Sequence, residues 1–181
     1  MIDEKLNLSS PLLHADYEIE QGLYHMRPMQ ESDRPHVLDL FDHLSSKSRY
    51  FRYCQHLKNL PESLLKRIIC AHTRDDVAIG AFLVNEQHED QTLIGIARYV
   101  EEGTNTEAEF SLSVRDDFQH EGIGSHLMKA MLDTANRNGY KEVHGYVLSN
   151  NHDMLMLMSY LGATCARDKN DGTTTITTFK L

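Results

Sequence analysis

The residues best suited to chemistry lie in one short loop, residues 119–125, which follows an alternating strand pattern and precedes an amphipathic helical pattern. Gly122 and Gly124 allow the backbone to turn sharply and to approach a ligand closely. Successive N–H groups in such a loop, together with the positive end of the following helix, form a site for an anion. Ser125 adds a hydroxyl donor. The loop therefore indicates binding of a phosphate or a pyrophosphate.

A plainer interpretation stays open, because glycine also serves ordinary strand-to-helix turns. Two other phosphate-binding motifs are excluded. The sequence Gly-Lys-Ser/Thr does not follow the glycines, so the loop is not a Walker P-loop. The spacing G-x-G-x-x-G of the dinucleotide-binding motif is also absent.

Periodicity predicts the elements that hold this loop. The clearest alternating strand covers residues 108–114, where Glu109, Ser111 and Ser113 share the polar face. Further strands are predicted over 23–26, 77–84, 93–100 and 141–148, with a closing hairpin around the turn at 169–172. Helical spacing predicts helices that end near residues 44, 70, 138 and 161. This order predicts a mixed α/β domain with one central sheet flanked by helices.

The domain organisation follows from length and from the start of the chain. A length of 181 residues fits one domain, which we place at residues 22–181. Residues 1–21 are polar and interrupted by Pro11, and we expect an arm that packs on the domain or on a second copy. Both a monomer and a homodimer agree with this pattern.

Composition excludes several classes of function. The formal net charge of -9 disfavours binding to a nucleic-acid backbone, because proteins bind its phosphates mostly with cationic side chains. No run of about 18 apolar residues is present, so we expect no membrane span. The first residues lack a basic segment followed by an apolar one, so we expect no signal peptide. Three cysteines without a C-x-x-C spacing suit a reducing cytoplasm.

The ordered motifs resemble the GNAT superfamily of N-acetyltransferases. Val114 followed by Q-x-x-G-x-G and an amphipathic helix is similar to the acetyl-CoA signature of that family. A strand and the segment NHDMLMLMSYLGA then follow in the family's order. The front segments MRPMQESDRPHVLDLFDHLSSKSRYFRY and LPESLL resemble the acetyltransferase domain of Pat-type protein lysine acetyltransferases. The resemblance covers about residues 24–181.

The resemblance implies a GNAT fold whose mostly antiparallel sheet splays at a site for acetyl-CoA. The loop amides are implied to grip the pyrophosphate, the backbone near Leu112 and Val114 to pair with the pantetheine arm, and Asn151 to contact that arm. The implied loop residues are Gln119, His120, Glu121, Gly122, Ile123, Gly124 and Ser125.

Glu109 matches the glutamate that Pat-type enzymes use as general base. A lysine amine has a reference pKa of about 10.4 and must lose a proton before it attacks a thioester, and a carboxylate on the central strand can accept that proton. A backbone N–H near Leu112 is the candidate donor to the developing oxyanion. A solvated strand residue is the plainer interpretation of Glu109. Glu101, Glu102 and Glu107 are rival carboxylates, which we interpret as hairpin surface.

One position departs from the family pattern. Many GNAT enzymes carry a tyrosine that protonates the leaving thiolate, and Met158 stands there in this chain. Tyr160 lies about 200° further around a helix of 3.6 residues per turn and does not simply replace it. A thiol with a pKa of roughly 8.5 leaves with little help, so no acid is assigned.

The 11 histidines are scattered without metal-ligand spacing, so we expect no metal site. His144 is interpreted as a core residue or as a proton carrier beside the thioester. The predicted function is transfer of an acetyl group from acetyl-CoA to a primary amine, on a protein lysine or a small molecule. A non-catalytic module that binds acyl-CoA is the alternative, and it keeps the glycine loop without needing Glu109.

Overall fold

The computed structural model describes residues 5–181, and the first four residues of the predicted arm lie outside this range. Five α-helices and nine strands make up the described part of the chain. The helices are α1 (Arg34–Asp42), α2 (Ser46–Tyr53), α3 (Glu62–Ile69), α4 (Ile123–Arg137) and α5 (His152–Tyr160). The strands are β1 (Asp16–Ile19), β2 (Gly22–Pro28), β3 (His72–Thr73), β4 (Asp76–Val84), β5 (Asp90–Glu101), β6 (Glu107–Val114), β7 (Glu142–Leu148), β8 (Thr164–Arg167) and β9 (Thr174–Lys180).

The strands form one sheet in the order β1-β2-β4-β5-β6-β7-β9-β8, and the short strand β3 pairs with the first two residues of β4. Neighbouring strands are antiparallel except β6 and β7, which are parallel. A parallel pair needs a crossover connection, and α4 supplies it. The mixed sheet flanked by helices confirms the fold class predicted from the sequence.

Alternation along the strands sends side chains to two separate cores. Ala108 and Phe110 of β6 face the side covered by α4, where they join Leu127 and Met131. On the other side, apolar residues of β4 and β5 pack against α1 and α3 in a second cluster. The polar residues of β6 also lie on this second side, because successive residues of a strand point to opposite faces. Glu109, Ser111 and Ser113 are therefore directed away from the α4 core.

The pairing of β6 with β7 is short. It covers Glu107 with Glu142, Ala108 with Val143, and Glu109 with His144. Beyond these three pairs the strands have no common register, whereas β6 continues to pair with β5 as far as Val114. The sheet thus opens from Phe110 onward, on the side where β6 leads into the glycine loop.

Part of the segment expected to be an arm is built into the sheet. β1 pairs with β2 in a hairpin that turns at Glu20 and Gln21, and Leu13 of the preceding 3₁₀ turn is buried in the α4 core. Only two residues of β1, Tyr17 and Ile19, are apolar, so the period-two signal is too short to stand out in the sequence.

Gly145 of β7 fixes the packing beside the opening. A Cβ at this position would lie 2.5 Å from Cε1 of Phe110, whose ring is buried and packs edge-on against Phe179. We expect Gly145→Ala to lower the free energy of unfolding by about 1–3 kcal/mol in urea denaturation, because overpacking forces the ring to move. Gly172→Ala is the control, since its Cβ meets open space. Equal stability of the two variants would contradict this packing.

Candidate active site

A cavity of about 580 Å³ opens where β6 and β7 separate. Its walls come from α2, from β6, from the loop before α4, and from the first turns of α5. The cavity therefore brings together elements that are distant in sequence, and the polar face of β6 runs along it.

The glycine loop curls against one end of the cavity. His120 and Gly122 both adopt left-handed backbone conformations, with φ values of 66° and 85°. The first hydrogen bond in the ladder of α4 runs from the N–H of His126 to the carbonyl of Gly122. The amides of the first helical turn precede this ladder and have no acceptor within the helix. They form the positive end of a 15-residue helix, which suits an anion.

Two contacts hold the loop in this shape. The side chain of Gln119 donates a hydrogen bond of 3.0 Å to the carbonyl of Val114 and so ties the loop to the end of β6. Gly124 allows a close approach of three elements, because a Cβ there would lie 3.2 Å from Leu157 of α5 and 3.5 Å from Leu112 of β6. A larger residue would push α5 or β6 away from the loop.

Glu109 lies on the cavity wall, where it is exposed to solvent within a recess that removes part of its hydration. Burial raises the pKa of its carboxyl, and the nearby carboxylate of Glu102 raises it further. His144, Arg52 and Arg98 act in the opposite direction, toward a lower pKa. The net shift is upward, so that the carboxylate is a stronger base than an exposed glutamate.

Sequence analysis missed most of the wall formed by α2. The guanidinium of Arg52 donates a hydrogen bond of 2.9 Å to the hydroxyl of Ser111, and burial lowers the pKa of this arginine. Tyr146 of β7 also lines the cavity, and burial raises the pKa of its phenol with help from Glu102 and Glu109. The signal available in the sequence was the polar face of a helix in SKSRYFRY, which gives no indication of the strand it covers.

Three residues at or near α5 were singled out in the sequence, and they differ in their surroundings. Asn151 lines the cavity, and its side-chain oxygen accepts a hydrogen bond of 3.4 Å from the amide of Met154, which caps α5. Met158 is fully buried in the α4 core, and Tyr160 is 78% exposed to solvent. The position that carries a tyrosine in many GNAT enzymes is thus filled by a core residue.

Most of the residues predicted to form the site line this one cavity. They are Glu109, Leu112, Val114, Gln119, His120, Gly122, Gly124, Ser125 and Asn151. Two others do not line it. Glu121 lies outside the lining, and Ile123 is buried in the core, where it supports the first turn of α4. Their predicted role concerned backbone amides, so it does not depend on where these side chains lie.

Within residues 5–181, we find no group of three or more His, Cys, Asp or Glu side chains arranged to hold a metal ion. Over the same range, the helices are too short or too polar to cross a bilayer.

The fold and the site define a class of enzyme, and comparisons with known proteins agree with it. The family model of the acetyltransferase (GNAT) domain matches residues 25–164. The chain belongs to this family and is an acetyltransferase.

Two relatives bear on the branch of the family. The chain is 29% identical to the acetyltransferase PA5475 of Pseudomonas aeruginosa over 153 residues, which are 83% of this chain and 80% of that protein. It is 32% identical to the acetyltransferase Pat of Mycolicibacterium smegmatis over 146 residues, 80% of this chain. That match spans 42% of the Pat protein, less than half of its length. The resemblance to Pat-type acetyltransferases is confirmed.

Two solved structures share the fold. The GNAT domain of S. lividans PAT has a TM-score of 0.82 and 22% sequence identity, with 92% of this chain and 96% of that one covered. The paia N-acetyltransferase of Thermoplasma acidophilum, solved in complex with coenzyme A, has a TM-score of 0.66 and 20% identity, with 87% and 99% covered.

Proposed function

We propose that this protein transfers an acetyl group from acetyl-CoA directly to a primary amine, with Glu109 as general base. One observation supports this proposal above the others. The curled loop, the open edge of β6 and a carboxylate of raised pKa share a single cavity. A module that only binds acyl-CoA needs the first two features and has no use for the third.

The residues present fit acetyl-CoA as co-substrate. The position of a Cβ on Gly122 has no atom within 4 Å, which leaves room for a phosphate group beside the amides. The edge of β6 beyond Phe110 offers backbone groups to the amides of a pantetheine arm, as an additional strand does. When bound there, acetyl-CoA supplies the activated acetyl group.

Glu109 prepares the acceptor amine for attack by removing a proton. A protonated amine cannot attack, and the carboxylate takes its proton directly or through one water molecule. The loss of the proton leaves a neutral nitrogen that can form the new bond to the carbonyl carbon. A backbone N–H near Leu112 stabilises the oxyanion that develops. The sulfur then leaves as a thiolate without a dedicated acid, in agreement with the burial of Met158. The thiolate takes up the second proton of the attacking nitrogen through water, so that the products are the amide and the CoA thiol.

The charge around the cavity favours a cationic acceptor. Tyr146 lines the cavity, and the carboxylates of Glu102, Glu109 and Asp168 all raise the pKa of its phenol. Arg98, one of the two arginines near Glu109, is paired with Asp76 at 2.6 Å. An acceptor with an ammonium group, on a protein lysine or a small amine, fits this side of the cavity.

Calorimetry and a transfer assay test the proposal together. We expect coenzyme A to bind well-folded protein at micromolar to millimolar concentration, and release of the CoA thiol to depend on an added amine. Lysine peptides, polyamines and free amino acids should be compared as acceptors at equal concentration. Absence of binding at millimolar coenzyme A would overturn the proposal, whereas binding without any amine-dependent thiol release would favour the non-catalytic module.

A further inference from the structure

The imidazole of His144 contacts the carboxylate of Glu102 next to Glu109. The Nε2 atom of His144 lies 2.6 Å from Oε2 of Glu102. The side chain of His144 is only 10% exposed, whereas that of Glu102 is 51% exposed. The pair therefore connects a nearly buried imidazole to the solvent.

The sheet places this pair beside the proposed base. His144 is the residue of β7 in register with Glu109 of β6, in the last residue pair before the strands separate. Residues in register on neighbouring parallel strands point to the same face of the sheet. Both His144 and Glu102 also act electrostatically on the carboxyl of Glu109.

A general base must lose the proton that it takes before the next turnover. Glu109 is open to solvent through the cavity in the unliganded protein, and bound substrates would cover this route. Imidazole can accept a proton on one ring nitrogen and release one from the other, and it does so near neutral pH. The pair of His144 and Glu102 lies where such an exit would be needed.

We propose, on the basis of the function proposed above, that His144 and Glu102 form a relay that carries the proton from Glu109 to the solvent. The proton that leaves the acceptor ammonium first converts the carboxylate of Glu109 into a carboxylic acid. Glu109 passes it, directly or through water, to Nδ1 of His144. The imidazole gives up the proton on Nε2 to the carboxylate of Glu102, which releases it to water. The imidazole then carries its proton on Nδ1, and exchange with water returns this proton to Nε2, so that each group regains its initial state and one proton has passed from the acceptor to the solvent.

The other groups around Glu109 do not provide this path. Arg52 of α2 is bound to Ser111, and Arg98 of β5 is paired with Asp76, and both remain protonated at neutral pH. Tyr146 packs edge-on against His144 with ring centroids 5.7 Å apart, and its pKa is raised, so the phenol keeps its proton. Tyr146 thus orients the imidazole and is not a step in the relay.

Opposite shifts of the pH profile test the relay's coupling to Glu109. Activity of the unmodified enzyme should fall as pH decreases through the pKa of Glu109, which is raised above the usual value for glutamate. Glu102 raises that pKa, so Glu102→Gln should move the acidic limb of the kcat/KM profile to lower pH. His144 lowers it, so His144→Asn should move the limb to higher pH. These opposite displacements would show that both groups act on the carboxyl of Glu109, whereas unchanged profiles would contradict that coupling.

Rates and chemical rescue test the transfer itself. We expect kcat to fall by about tenfold in each variant, below the effect of losing the base, with the KM for acetyl-CoA unchanged. The double variant should be no slower than His144→Asn alone, because both residues serve one path. Added imidazole should restore turnover of His144→Ala in proportion to its concentration.

Matched controls separate the relay from a loss of folding. Glu107→Gln changes a carboxylate on the same strand and the same face as Glu109, and it should leave both the pH profile and kcat unchanged. Glu102 is exposed, so Glu102→Gln tests the relay even where a change at His144 impairs folding.

The outcomes distinguish the relay from the proposed function. An active enzyme whose His144→Asn and Glu102→Gln variants keep the original kcat and pH profile overturns the relay and leaves the acetyl transfer intact. No amine-dependent thiol release from the unmodified protein overturns both.

Discussion

Glu109→Gln should lower turnover by about 10²-fold or more while the affinity for acetyl-CoA stays unchanged. Glutamine keeps the size of the side chain but cannot accept a proton at the pH of the assay. The glycine loop and the open edge of β6 are not altered by this change, so binding persists. Steady-state kinetics with a saturating amine, together with calorimetry on the same preparation, measure the two quantities.

Glu107→Gln is the matched control for this variant. Glu107 lies two residues earlier on β6, on the same face, and is absent from the cavity wall. Unchanged turnover in Glu109→Gln would remove Glu109 from its proposed role. An equal loss in both variants would point to damage of the strand and not to the base.

Gly122→Ala should weaken binding of coenzyme A by about tenfold or more, which corresponds to about 1.4 kcal/mol. A left-handed conformation costs an L-residue about 1–2 kcal/mol, so the loop would relax toward other backbone angles. The amides at the start of α4 would then no longer converge on one point, and the anion site would lose its geometry. Calorimetry with coenzyme A measures the loss.

Gly162→Ala carries the same backbone penalty elsewhere. Its φ of 95° is close to the 85° of Gly122, and a Cβ at either position meets no atom within 4 Å. Thermal unfolding should therefore show a similar loss of stability in the two variants, whereas only Gly122→Ala should bind coenzyme A more weakly. Equal affinities for coenzyme A would contradict the anion site.

The elements that a regular pattern encodes could be predicted from the sequence. Strand β6 has four apolar and three polar residues in strict alternation over 108–114, and Gly122 and Gly124 mark the start of α4 by their chemistry alone. The helix α5 and the closing hairpin follow from spacing in the same way. Local patterns suffice for such elements because the alternation or spacing that identifies them involves only residues close together in the sequence.

Features that depend on tertiary contacts could not be predicted in this way. Arg52 reaches Ser111 over 59 positions of sequence, and nothing in the helix α2 indicates that its polar face covers β6. The contact of His144 with Glu102 arises because a hairpin and β7 meet beside the opening. The sequence pattern predicts Glu102 on the surface of a hairpin, and its side chain is exposed there, but its contact with His144 depends on the fold.

The short pairing of β6 with β7, which covers only three residue pairs, affects the stability of the sheet as a whole. The last three strands and α5 are joined to the other strands through this narrow seam, with α4 as the covalent link. A thioester ligand bound in the opening would form additional contacts with both β6 and β7 and would thereby link the two parts of the sheet. The temperature of unfolding would then rise with the concentration of that ligand, because a molecule that binds only the native state stabilises it by mass action.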